Sequence, residues 1–281
     1  MLSARVAAHA WRIPGTGDVA ADLRAGRSRA IDGQARIAEP ERPAEIPVGA
    51  WRRMSRLTRC AADVACALRA ARPDLAWEDL PVLWGSALGE VVPSSDFLDR
   101  LIGEGPQFAS PLAFQGSVYN ATPGQLSLAL GLRGPTETVS AGMATGLAAL
   151  ARGIEWLADA PAVLVLVGDD LNRTTEAAYG AAGLVGGEAV VGVILVRGDG
   201  VGVADGVHAS DASRAVALPY ERGFVQLGRP IAPERTLGLC CTGGLVAVLS
   251  GISATDQDGT TALTARQVDM PPSTAITWPV R

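Results

Sequence analysis

Four places in this chain offer side chains with chemical potential: Met143, Asp169-Asp170, His208, and the adjacent thiols Cys240-Cys241. Met143 sits where a turn and a short small-residue segment, "GLRGPTETVSAGMATG", lead into a helical pattern, the position at which a nucleophile is commonly mounted. A thioether has no ionisable proton and forms no thioester, so this residue does no acyl chemistry. Cys240 and Cys241 close an apolar run. A reactive thiolate needs a helix N-terminus or a cation beside it, and in a strand the two side chains would point to opposite faces. They read either as buried structural cysteines or as the site of one unconventional nucleophile. Cys60 and Cys66, six residues apart, read as small buried hydrophobes.

The remaining chemistry is thin. His208 is the only histidine in the body of the chain and has no sequence neighbour to orient its ring. With His9 it makes two histidines in all, neither at ligand spacing, so no metal site is expected. Asp169-Asp170 follow the apolar run "VLVLVG", but no phosphate-binding loop precedes them, and they are expected to be surface loop carboxylates. The chain contains no lysine, which removes Schiff-base chemistry and the phosphate-loop lysine. Gly200, Gly202 and Gly206 lack dinucleotide-fingerprint spacing, and there is no G-x-S-x-G elbow. No cofactor is expected.

These residues need elements to carry them. Met54, Leu57, Ala61, Val64, Ala65 and Leu68 fall on one face of a helix that Pro73 ends. Val82–Trp84 reads as a short strand opening into a glycine-rich turn, followed by a helix around Ser95–Leu101. A small-residue helix is expected over 120–132. Met143, Leu147, Leu150, Ile154 and Leu157 recur at spacings of three and four, a helical stripe expected to be buried between sheets. Ala162–Val167 and Val190–Val196 are apolar throughout, which predicts strands covered on both faces in an α/β fold.

Composition bounds the function. The net charge of -5 gives no reason to expect nucleic-acid binding, yet it is unevenly spread: residues 1–72 hold 13 arginines against 7 acidic side chains. Arg52, Arg53, Arg56 and Arg59 crowd into less than two helical turns and read either as a cationic surface for an acidic partner or as ordinary solvated arginines. The N-terminal apolar run is interrupted by Arg12, Pro14 and Asp18 and lacks a signal-peptide core, and no uncharged apolar run reaches about 18 residues. A cytoplasmic protein without a membrane span is expected.

The segment Gly134, Pro135, Val139, Ser140, Ala141, Gly142, Met143, Ala144, Thr145, Gly146 resembles the nucleophile elbow of β-ketoacyl synthases, in the thiolase-like superfamily, whose pattern runs Gly-Pro, three residues, Val-Asp-Thr-Ala-Cys. "RRMSRLTRCAADVACAL", "WGSALGE", "GSVYNATPGQLSLALGLRG" and "GLVGGEAVVGVILV" are similar to further family stretches in the family's order, so the likeness covers roughly 50–200. The resemblance implies a layered α/β/α thiolase-like fold, one domain over 1–281 with a shortened C-terminal part from 201 onward. Met143 occupies the place of the acyl-accepting cysteine, and only His208 is available for the family's two catalytic histidines. The resemblance therefore implies a non-catalytic subunit of chain-length-factor type, known from type II polyketide and aryl-polyene systems. Such a subunit pairs with an active β-ketoacyl synthase, meets an acyl carrier protein and shapes the acyl channel. On this reading 112–146 forms the partner contact, with Phe114, Ser117, Tyr119, Asn120, Ala121, Gly134, Pro135 and Met143 at the interface or channel and the four arginines as a partner-binding patch. The alternatives are an acyltransferase or condensing enzyme using Cys240 or Cys241, and a stand-alone acyl-binding scaffold.

Overall fold

The structure is a computed structural model and describes residues 4–14, 36–142, 144–181, 186–197, 214–217, 224–227, 241–242, 245 and 262–263. In chain order the elements are β1 (Ala4–Arg12), α1 (Val48–Trp51), α2 (Arg56–Ala71), β2 (Val82–Gly85), α3 (Val91–Glu104), α4 (Pro111–Ser117), α5 (Ala121–Leu130), β3 (Thr136–Val139), α6 (Thr145–Trp156), β4 (Ala162–Asp169), α7 (Arg173–Ala181), β5 (Ala189–Arg197), β6 (Arg214–Ala217), β7 (Phe224–Leu227) and β8 (Ala262–Leu263).

A six-stranded mixed sheet, ordered β3-β2-β4-β5-β1-β8, organises them. β2 runs parallel to both β3 and β4, whereas β5 is antiparallel to β4 and to β1. Alternation along the strands divides the core in two. Leu83, Val163, Val165, Val167, Val191, Val193 and Leu195 meet Ala149, Leu150 and Ile154 of α6 on one face. Val82, Trp84, Leu164, Leu166, Val190 and Ile194 meet α2, along its expected apolar stripe, and Leu126 and Leu130 of α5 on the other. Strands buried on both sides have no polar face to display, which is why their sequences are apolar throughout. The chain thus has a mixed α/β fold.

Two glycines let these layers close. A Cβ on Gly153 would come within 2.6 Å of Val165 Cγ2, so its absence seats α6 directly on the sheet. A Cβ on Gly134 would come within 2.4 Å of the Leu80 carbonyl oxygen, and Val82 N donates to the Pro135 carbonyl at 2.9 Å. The Gly-Pro pair is therefore the turn that brings β3 beside β2.

Several expectations change. The helix expected from Met143 starts at Thr145, and Leu147 is only partly buried. α6 covers one face of the six-stranded sheet, and the other described sheet is the two-stranded β6-β7 pair; the expected burial of α6 between two sheets lies outside the described residues. β1, next to the edge strand and with a register shift against β5 between Val6 and Ala8, has too much alanine and arginine to announce itself. α3 extends well beyond the expected Ser95–Leu101, and α4 was not anticipated.

Candidate functional site

The carboxyl ends of the parallel strands β2, β3 and β4 converge, and the residues that follow them make the site. After β3 the chain turns at Gly142, whose φ of 55° is left-handed and suits a residue without Cβ. Buried Thr145 clamps the turn: its hydroxyl donates to the Gly142 carbonyl at 2.6 Å and accepts from Ala141 N at 2.9 Å. Gly146 N donates to the Cys241 carbonyl at 3.1 Å, and a Cβ there would meet that same oxygen at 2.8 Å. An elbow and its helix are thus built around position 143. Met143, Cys240 and His208 themselves lie outside the described residues.

Asp169 and Asp170 are not the surface carboxylates expected; both are fully buried. Asp169 accepts from Ser86 Oγ at 2.5 Å, from Ala87 N and Leu88 N at 3.0 Å each, and from the Cys241 thiol. Burial pushes its carboxyl up, and these donors oppose the shift. A buried thiol donating to a carboxylate has the reverse of the surroundings that make a thiolate. Asp170 stands next to it, raised to about 7 first by burial and then by the charges of Glu90 and Glu188. These acids escaped sequence reasoning because their partners come from residues 56, 86–90 and 188, which only the fold assembles.

The four arginines do not form one cationic surface. Arg52 and Arg53 are exposed, but they precede α2, in its connection to α1. Arg56 turns inward, donating through Nη1 and Nη2 to the two oxygens of fully buried Glu188 at 2.9 and 2.6 Å. Arg59 donates to the Trp51 carbonyl at 3.1 Å, pairs with Glu39, and lies 5.6 Å from the Trp51 ring centroid.

The segment 112–146 splits by side. Ala121, Leu126 and Leu130 are core, whereas Leu112, Phe114, Tyr119 and Leu128 are exposed, Leu128 at 86%. Ser117 donates its hydroxyl to the Phe114 carbonyl at 2.8 Å, and Asn120 is exposed at the start of α5. Leu98, Ile102 (81% exposed) and Phe108 belong with the outward set. The sequence did not reveal them, because apolar residues in an amphipathic helix read as core. Gly134 is half-buried and Pro135 exposed, beside β3, which is the edge strand of the sheet. Among the described residues no group of three or more His, Cys, Asp or Glu is placed to hold a metal ion, and no helix is long and apolar enough to cross a membrane.

Residues 27–213 match the family model "Beta-ketoacyl synthase, N-terminal domain". No curated protein matches the chain. Among solved structures the chain is similar to the complex of the ketosynthase ApeO with its chain length factor ApeC from Xenorhabdus doucetiae, at 20% identity and TM-score 0.57, over 71% of this chain and 81% of that one. It is also similar to a β-ketoacyl synthase from Burkholderia phymatum STM815, at 18% identity and TM-score 0.58, over 70% of this chain and 60% of that one. The ishigamide ketosynthase/chain length factor aligns at 18% identity and TM-score 0.57, over 70% of this chain and 58% of that one. The chain thus spans less than two thirds of the latter two. At these identities the likeness is one of fold.

Proposed function

We propose that this chain, which belongs to the β-ketoacyl synthase N-terminal domain family, acts as a non-catalytic, chain-length-factor-like subunit that pairs with an active β-ketoacyl synthase and shapes its acyl channel. The observation that carries this reading is an elbow kept in working form, with its left-handed Gly142, its Thr145 clamp and its seated α6, around a position whose residue is Met143. A flexible apolar thioether can fill space beside an acyl chain but cannot accept the acyl group. Burial of Cys241 against Asp169 further weakens the alternative of a thiol nucleophile.

The partner face is proposed as the outward side of 112–146 with the edge of β3. Leu112, Phe114 and Leu128 offer apolar area, and no charge interrupts the sequence from Pro111 to Leu132. An acyl carrier protein is the proposed second partner, with Arg52 and Arg53 as the arginines free to meet its acidic surface. The whole chain, 1–281, is read as one thiolase-like domain in the cytoplasm. Co-expression with a β-ketoacyl synthase from the same source tests the assignment: a stable one-to-one complex is expected, and a well-behaved monomer that ignores the synthase would end it.

A further inference from the structure

We propose that Asp170 and Glu90 form a proton-operated latch at the root of α3, holding the α3–α4 pair against the body while Asp170 is protonated and loosening it when Asp170 ionises. The first support is how little else holds that pair. α3 runs for 14 residues without one buried side chain, and α4 has none either. Among the described residues, the side-chain hydrogen bonds that tie the pair to the rest of the molecule gather around the first turn of α3. Glu90, the N-cap residue, accepts through Oε1 from Thr58 of α2 at 3.1 Å and from Thr122 of α5. Asn172 Nδ2 donates to Ser95 Oγ at 2.6 Å and to the Val91 carbonyl at 3.4 Å. Tyr119 donates to the Ala87 carbonyl at 3.2 Å, and Ser94 ties α3 to α4 through the Ser117 carbonyl.

The second support is the charge balance beneath that turn. Asp170, two residues before Asn172, is 1% exposed, and its Oδ1 has no hydrogen-bond partner. Its Oδ2 reaches Arg56 Nη1 only at 4.0 Å, while that nitrogen is held by Glu188 at 2.9 Å. Glu188 also receives Arg36, Leu171 N and Ile37 N, so the available cations are committed to it. Glu90 Oε2 is buried and likewise without a partner. The groups facing Asp170 are thus Glu90 from the α3 cap, Glu188 from the approach to β5, Asp169 from β4, and Arg56 with the Cys60 thiol from α2. Burial raises that thiol to about 12, leaving it neutral. Among the described residues Arg56 alone opposes the three acids, so an unpaired buried carboxylate there is costly.

The sign follows from linkage. Asp170 is raised to about 7 when α3 is docked and returns toward the ordinary carboxylate range when the site opens to water. A raised acid favours the docked state while protonated, and that preference is lost as pH climbs through 7. α3 and α4 carry Leu98, Ile102, Leu112 and Phe114, so the latch would set how firmly the proposed synthase-facing surface is presented. That consequence rests on the proposed function; the latch itself does not, and it is read on the full chain alone.

Hydrogen–deuterium exchange across 91–117, corrected for intrinsic exchange, is the test. Protection in the wild type should fall about tenfold between about pH 6 and pH 8, with α6 unaffected. Asp170→Asn should flatten the profile. Glu90→Gln, which removes one of the two charges that add to burial in raising Asp170, should move the transition to lower pH. An equal fall in wild type and Asp170→Asn, a flat wild-type profile, or an unmoved transition in Glu90→Gln would each overturn the latch, and the last variant decides the matter if Asp170→Asn does not fold.

Discussion

At position 143 the difference between a sulfur that reacts and one that does not decides the account. A thiolate attacks a thioester carbon; a thioether in the same place leaves no covalent product. Incubation with acyl-carrier or coenzyme A thioesters should therefore leave the intact mass of this chain unchanged, and a stoichiometric increase abolished by Cys240→Ser or Cys241→Ser would restore the enzyme alternative. Met143→Cys alone should not restore condensation, because a thiol without positioned bases and oxyanion donors lacks orders of magnitude in rate. Glu188 gives a separate test of the buried polar cluster. Its oxygens take Arg56, Arg36 and two backbone donors, so Glu188→Gln removes the carboxylate that Arg56 pairs with and turns an amide toward groups that only donate, and should cost about 3 kcal/mol in urea unfolding. A change within the error of the extrapolation would mean that the pair contributes nothing. None of this cluster could be read from spacing: Glu188 and Arg56 lie 132 residues apart, and "GDD" alone looks like a loop.

Elements divide into those that the sequence declares and those that it hides. α2, α6, β4 and β5 were legible because each is buried along a stripe or throughout, and burial writes its period into the sequence. The expected helix boundary at 143 missed the structure by two residues because a glycine turn and a threonine clamp, rather than hydrophobicity, fix the start of α6. α3 misleads in the opposite sense, since its Leu98 and Ile102 point outward, while the outward apolar residues of α4 lie in the segment expected to meet a partner. That makes them a sharp test. Phe114→Arg and Leu128→Glu change exposed side chains and should abolish synthase binding while leaving the circular-dichroism spectrum and melting temperature nearly unchanged. Ala121→Glu, in contrast, would strike the core and should unfold the protein. Loss of stability in the two surface variants would show that the face is internal to a larger fold.

Across the whole molecule, uneven charge and uneven polarity suit a protein that works in company. Arg52→Glu with Arg53→Glu should slow association with an acidic carrier protein mainly through the on-rate, and added salt should slow the wild type in the same way. Unchanged kinetics at low ionic strength would leave these two as ordinary solvated side chains.

The central claim is that this chain lends its partner a surface and a channel while the partner does the bond-making. The decisive measurement reconstitutes condensation from a labelled acyl-carrier thioester with a β-ketoacyl synthase from the same source alone, with this chain alone, and with both. Elongated product is expected only from the pair, with all covalent label on the synthase. Label on this chain, or the same products at the same rate from the synthase alone, would contradict it.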